Sequence, residues 1–404
     1  MSITQKERDY LRNLAKKQLE YANLPANKQR EANWYAHNDL KGKKPMVTME
    51  EGTFFQELER PLQCESPEAR QIEEHLLGHI IAREDIDDDR VTPDFFGVTR
   101  WMWFTPFGLE VEQEQSATLA YTYKPHIHDL EADFHKLGKS AWGIAPLERT
   151  AEIAGDIIGD ILPVRFFTAG PYGSLTWRLV CIMHMETLMY ALADSPELVH
   201  RMMEMMTADY VEALRSQEAG DYLIVNNYNQ RVSQGSYGFT HDLPSHPAKL
   251  SNMWGYMDSQ ETVGISCDMF KEFFFPYYKR IADMVGLVNY GCCEPVHAIW
   301  DECLSQMTNL RKVSVSAWCD EEFMGDRLRG GKVIFHRKPS PNVVGVDKIF
   351  DESKFREHIA ATLKAARGCK LEFSFRDVYG LQGDKGRAKR CVQLVKESID
   401  EHWV

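Results

Sequence analysis

From about residue 160 to the C-terminus, short apolar runs alternate with longer stretches in which apolar side chains recur at helical spacing. ILPVRFFTAGPYG reads as a strand running into a Gly/Pro loop, and LTWRLVCIMHMETLMYALA as one long apolar helix. The helical period returns in SPELVHRMMEMMTADYVEAL, whose many Met residues at that spacing indicate core. DYLIVNN predicts a strand, and after a long loop CDMFKEFFFPYYKRIADMV predicts a helix. The rhythm then continues: strand VGLVNYGCC, helix EPVHAIWDECLSQM, strand KVSVSAW, helix DEEFMGDRLRG, strand KVIFH, helix DESKFREHIAATLKAAR, strand KLEFSFRDV, helix KGRAKRCVQLVKESIDEH. Strict alternation of this kind implies parallel strands joined by right-handed helical crossovers.

The N-terminal part is patterned differently. Residues 1 to about 45 predict a charged helix and a polar connector, and SPEARQIEEHLLGHIIAR an amphipathic helix opened by Ser-Pro. GVTRWMWFTPFGLEVE has the short apolar runs of irregular strands or a hairpin insertion. The expected architecture is therefore α/β, a (β/α)8 TIM barrel with an N-terminal helical and hairpin elaboration. Residues 1–90 would form the cap and 91–404 the catalytic barrel. A closed barrel is preferred to an open doubly wound sheet because polar and reactive residues recur at the carboxyl ends of successive strands, where barrel active sites assemble.

Composition narrows the function. A net charge of −13 over 404 residues, without a Lys/Arg stripe, argues against a nucleic-acid partner. The charged start lacks the apolar core of a signal peptide, and no stretch reaches the roughly 20 apolar residues of a membrane span, so a cytoplasmic protein is expected. Nine cysteines in such a chain point to reduced thiols or metal ligands before disulfides. No GxGxxG follows a strand and no GxxxxGK[ST] occurs.

The strongest chemical feature is Tyr290-Gly291-Cys292-Cys293-Glu294-Pro295-Val296-His297, where a strand ends and a Pro-initiated helix is expected. Cys319, in SVSAWCD, lies at the next strand's end. Thiolates with a carboxylate, and one coordination position left for substrate, are what a catalytic zinc needs. Cys292, Cys293 and Cys319 are thus the candidate ligands. Successive strand residues face opposite ways, so one of the adjacent pair is expected to point into the core. Glu294 is an alternate ligand or acid, and His297 falls in the helix. Asn227 and Gln230, on a polar loop, suit a polar substrate group. Trp254 and Trp318 are candidate aromatic walls, with ordinary packing the competing role for Trp254. Lys338 and Arg376 sit at two further strand ends as partners for a carboxylate or phenolate, and Asp377 would accept a proton or fix Arg376.

WGYMDSQETVGIS, YGCCEP, SVSAWCD, HRKPSPN and FRDVYGLQGD together resemble the uroporphyrinogen-decarboxylase-like superfamily over residues 45 to 400 or so. That resemblance implies a (β/α)8 barrel. It also implies either decarboxylation or methyl transfer at zinc. The arginine-rich N-terminal motif of the decarboxylases is absent here, and where thiol-directed methyltransferases carry His-x-Cys this chain has Tyr290 and Cys292. YGCCEP with WCD is most similar to the methyltransferase components of aryl-ether O-demethylases. The resemblance therefore implies zinc, a methoxylated small-molecule donor, and cobalamin supplied on a separate corrinoid protein. No Asp-x-His-x-x-Gly corrinoid motif occurs in the chain itself. A homodimer is an additional expectation.

Overall fold

The computed structural model describes residues 3–115, 121–145 and 149–403. Its strands are β1 (Met46–Met49), β2 (Phe96–Arg100), β3 (Met102–Thr105), β4 (Gln113–Gln115), β5 (Tyr121–Tyr123), β6 (Ala141–Ile144), β7 (Val164–Thr168), β8 (Trp254–Met257), β9 (Leu287–Tyr290), β10 (Leu310–Val315), β11 (Ile334–Arg337) and β12 (Leu371–Phe375). Six of them form a parallel sheet in the order β1-β12-β11-β10-β9-β8. β2 and β7 make a separate parallel pair, while β3–β6 and β4–β5 are small antiparallel ribbons. The α/β class is as expected.

A closed eight-stranded ladder is not formed among the described residues, and the two breaks have physical causes. Between β7 and β8 lies 221–227, expected as a strand but carrying no ladder. Asn226 instead offers its side-chain amide to β8, accepting from Trp254 N at 2.8 Å and donating to Trp254 O at 3.0 Å. Thr168 Oγ1 likewise donates to Tyr222 O at 2.9 Å and accepts from Ile224 N at 3.0 Å. Asn and Thr side chains compete with backbone pairing in this way. Further along, Pro171 and Gly173 bond Tyr256 directly, at 2.9 and 2.8 Å. At the other edge, β1 is met by carboxylates: Val47 N donates to Asp89 and Met49 N to Asp88, at 2.8 and 2.9 Å.

Four expected helices differ in detail. Residues 5–38 form two helices, Gln5–Asn23 and Pro25–Asn38, because Pro25 forces Leu24 into extended backbone. Pro276 splits the next, into Cys267–Phe273 and Phe275–Ala282. The expected helix over 175–193 is Leu175–Val180 and Met185–Asp194, interrupted where Ile182 O accepts from His126 N and Ile127 N of the hairpin insertion. EPVHAIWDECLSQM contains only the 3₁₀ turns Val296–Ile299 and Leu304–Gln306, so His297 lies in a short turn. Residues 116–120 of the insertion lie outside the described residues. Among the described residues no helix is long and apolar enough to cross a membrane.

The sheet interior holds charge. Lys312 donates to Glu372 at 2.8 Å and to Ser236 Oγ at 2.6 Å, and its ammonium sits over the rings of Trp34 and Trp254 at 5.3 and 5.5 Å. His37 shares the same carboxylate at 3.1 Å. Burial lowers the pKa of His336 to about 3 and that of His75 to about 4. Folded, these imidazoles stay neutral at pH values where the unfolded chain binds protons. Their contribution is complete above pH 6.5 and is lost as pH falls to about 4 for His75 and about 3 for His336. The urea midpoint should therefore drop steadily between those limits, and a flat profile would contradict the burial of these groups.

Candidate active site

β9 delivers the cysteines. Gly291, at φ +102, turns the chain out of the strand, and a Cβ there would stand 2.9 Å from Ser314 Cβ. Glu294 then fastens the turn: its carboxylate accepts from Cys292 N at 2.7 Å and from Ser259 N at 2.8 Å, tying the end of β9 to that of β8. Burial, aided by nearby Asp258, pushes the Glu294 carboxyl up to about 7. Asp258 is itself held by the hydroxyls of Ser174 and Tyr172.

Around the thiols the groups converge from four elements. The Cys292 and Cys293 sulfurs are 3.6 Å apart. Gln234 Nε2 donates to Cys292 Sγ at 3.2 Å, and Arg376 Nη1 approaches the same sulfur at 3.7 Å from the end of β12. Lys338, following β11, donates to Gln234 Oε1 at 2.5 Å and to the carbonyls of Gly291 and Cys292 at 3.2 and 3.3 Å. Burial lowers the Lys338 pKa, with Arg376 adding to the effect. Asp377 braces Arg376 at 3.0 Å from a backbone at φ +55. The S–H of Cys292 points to Cys293, so the pair favours one negative charge on Cys293, whose pKa falls below the ordinary thiol value with help from Lys338 and Arg376. Cys292 shifts the other way, through the same hydrogen bond and burial. Iodoacetamide should therefore label Cys293 ahead of the other eight cysteines near pH 7, read by peptide mapping. Uniform labelling would contradict this polarity.

Across Tyr256 from the cysteine turn lies a cavity of about 670 Å³, which Cys292, Cys293, Lys338 and Arg376 do not line. Its walls include Phe95, Trp101, Phe167, Tyr172, Tyr237 and Tyr256, and Gln230 and Arg231 reach it from the loop after Asn226. Tyr172 and Tyr256 stack with centroids 5.2 Å apart, and the Tyr256 hydroxyl meets Gly291 O at 3.4 Å, so this wall is shared with the cysteine turn.

No protein-family model matches the chain, and no curated protein does. A solved structure does match in fold. It is a methyltransferase from Methanosarcina mazei, with a TM-score of 0.50 and 13% sequence identity, the match covering 93% of this chain and 99% of that one.

The residues expected from sequence are distributed unevenly. Cys292, Cys293, Lys338, Arg376 and Asp377 do assemble, and Gln230 lines the cavity. Glu294 is present but buried behind Cys292, where it positions the turn. Trp254 is fully buried beneath Lys312 with its indole N–H on Gly238 O, so it is core. Asn227 is also buried and bonds Leu243 O. Trp318 is 76% exposed. Cys319 is turned away: its sulfur contacts Glu294 O at 3.7 Å and Ser316 Oγ at 3.6 Å. Both adjacent cysteines, in contrast, face the same cluster, because the turn at Gly291 ends strand alternation before Cys292.

These placements bear on zinc. Two thiolates at about 2.3 Å from a tetrahedral ion stand ~3.8 Å apart, so the pair supplies one edge of such a site. A third donor does not join it, since among the described residues no group of three His, Cys, Asp or Glu is arranged to hold a metal. Two cations, Lys338 and Arg376, face the thiols instead. The donor set does not fit a catalytic zinc, which takes three protein ligands.

Arg231 and Tyr172 were not singled out from the sequence. Gln234, which links Cys292 to Lys338, belongs to the same polar loop region as Gln230, and Tyr256 to the WGYMDSQETVGIS motif, so both were within its reach.

Proposed function

We propose that this chain is a methyltransferase that removes the methyl group of a methoxylated aromatic compound and passes it to cob(I)alamin carried by a separate corrinoid protein. The observation that carries this reading is a thiol pair flanked by Arg376 and Lys338 at the carboxyl ends of parallel strands, on a turn whose Gly291 carbonyl meets Tyr256 of an aromatic cavity. A fold shared with a methyltransferase supports it. So does the α/β architecture, a six-stranded parallel sheet with a separate parallel pair of β2 and β7.

In the proposed reaction a cob(I)alamin acceptor would supply the nucleophile for the methyl group, and as the carbon–oxygen bond breaks the departing electron pair collects on the aryl oxygen. A phenolate leaves poorly unless that charge is stabilised. Arg376 and the buried Lys338 supply positive charge for it, Asp377 fixes the guanidinium, and the thiol pair holds its other face. Gln234 keeps Lys338 and Cys292 in register. The aromatic walls bind the ring and exclude water. The test is product analysis after incubation of a methoxybenzoate with cob(I)alamin. A phenol that has lost its methyl group and kept its carboxylate supports the proposal. Release of carbon dioxide with the methyl group retained would make the protein a decarboxylase instead.

A further inference from the structure

The thiol pair has chemistry that methyl transfer leaves unused. Cys292 and Cys293 bring their sulfurs within 3.6 Å of each other on a turn held from several sides. Glu294 accepts from Cys292 N at 2.7 Å, Ser314 Oγ donates to the Cys292 carbonyl at 2.8 Å, and Lys338 donates to the carbonyls of Gly291 and Cys292. Cys319 is turned to Ser316 and the Glu294 carbonyl, so among the described residues no third thiol hydrogen-bonds to the pair.

The surroundings favour oxidation of these sulfurs over chelation of a cation. A bound metal ion would stand against the positive charges of Lys338 and Arg376. The same two groups stabilise a thiolate nucleophile, and also the anionic oxygen that departs when a thiolate attacks a peroxide. Cys292 is buried, with its sulfur occupied by Gln234 Nε2 at 3.2 Å, whereas Cys293 is only partly buried. An oxidant therefore meets Cys293 first and has Cys292 waiting behind it.

We infer that Cys292 and Cys293 form a redox-active vicinal dithiol, which a hydroperoxide converts to a disulfide and a small thiol restores. The Cys293 thiolate attacks one peroxide oxygen: the sulfur–oxygen bond forms, the oxygen–oxygen bond breaks, and the released alkoxide or hydroxide takes a proton from solvent. Cys292 then attacks the sulfenic sulfur: the disulfide bond forms, the sulfur–oxygen bond breaks, and hydroxide leaves with the Cys292 proton as water. Two thiols lose two electrons and the hydroperoxide gains them. Neighbouring Cα atoms stand about 3.8 Å apart across a trans peptide, closer than the ~4.4–6.8 Å of ordinary disulfides. The ring that closes is strained and hence easily reduced, which makes the site reversible. Closing it also takes the negative charge away from Arg376 and Lys338. None of this depends on which reaction the site performs.

The reduced chain, treated with one equivalent of hydrogen peroxide, blocked with N-ethylmaleimide after denaturation and mapped by mass spectrometry, tests it. Two of the nine free thiols should disappear, the peptide carrying both Cys292 and Cys293 should be lighter by two hydrogens and unblocked, and dithiothreitol should return both. Phenylarsine oxide, which bridges paired thiols, should protect the same two cysteines together from alkylation. Cys292→Ser should trap the intermediate, read as dimedone addition at Cys293, and the wild-type map decides the matter where that variant folds poorly. Nine intact thiols, oxygen retained on Cys293 without a bridge in the wild type, or a bridge from either residue to another cysteine overturns the inference. A reversible Cys292–Cys293 bridge in a protein that transfers no methyl group upholds it and removes only the proposed function.

Discussion

Glu372→Gln is expected to lower the unfolding free energy by about 3–5 kcal/mol. Lys312 has no exposed side-chain surface, and its ammonium relies on this carboxylate at 2.8 Å, between the rings of Trp34 and Trp254. Removing the negative partner strands a positive charge in the sheet interior, or forces Lys312 to release its proton, which is why burial already lowers its pKa in the native protein. Glutamine retains the size and one acceptor, so the loss isolates the charge. The double variant Lys312→Met/Glu372→Leu, with both charges removed, should recover most of the loss, since replacing a buried pair by apolar groups is often close to neutral. Urea unfolding of the three variants measures this. A loss below ~1 kcal/mol for Glu372→Gln would mean that Lys312 has another counter-charge or water at hand.

Arg376→Met is expected to cut methyl transfer about 10²-fold, the typical consequence of removing one donor to a developing oxyanion. The effect should fall on kcat more than on binding, because the aromatic walls remain. The same change should slow alkylation of Cys293 near neutral pH, since Arg376 is one of the two cations that favour its thiolate. That second readout separates a role in the site from simple unfolding, which would expose and accelerate the thiols. Unchanged turnover together with unchanged thiol reactivity would remove Arg376 from the site.

The part of the chain after residue 285 was legible because β9 to β12 are short apolar runs separated by helices or turns, and local pattern decides their state. The run 221–227 misled because its apolar residues satisfy a strand pattern while Asn226 and Thr168 supply, through side chains, the hydrogen bonds a ladder would have made. β1 and β8, no shorter than β9 and β11, were not read as strands.

At the site, Cys292, Cys293, Lys338 and Arg376 were found because each follows a strand end. Cys319 follows one too, yet it reaches Ser316 and the Glu294 carbonyl, since the direction of a side chain beyond a strand is set by the turn and not by the strand. Trp254 was open to either a substrate wall or ordinary packing, and its burial beneath Lys312 of β10 rests on contacts remote in sequence. The cavity was out of reach of any local reading. Its walls come from segments spread between Glu51 and Tyr256.

The most direct test of the account is anaerobic turnover of 4-methoxybenzoate with cob(I)alamin, free or on a corrinoid protein, followed by cobalamin absorbance and product mass. Methylcobalamin and 4-hydroxybenzoate are expected in equal amounts, with Arg376→Met strongly slowed. Cob(I)alamin that stays unmethylated across a panel of methoxylated aromatic acids, with a well-folded protein that binds them, would contradict it.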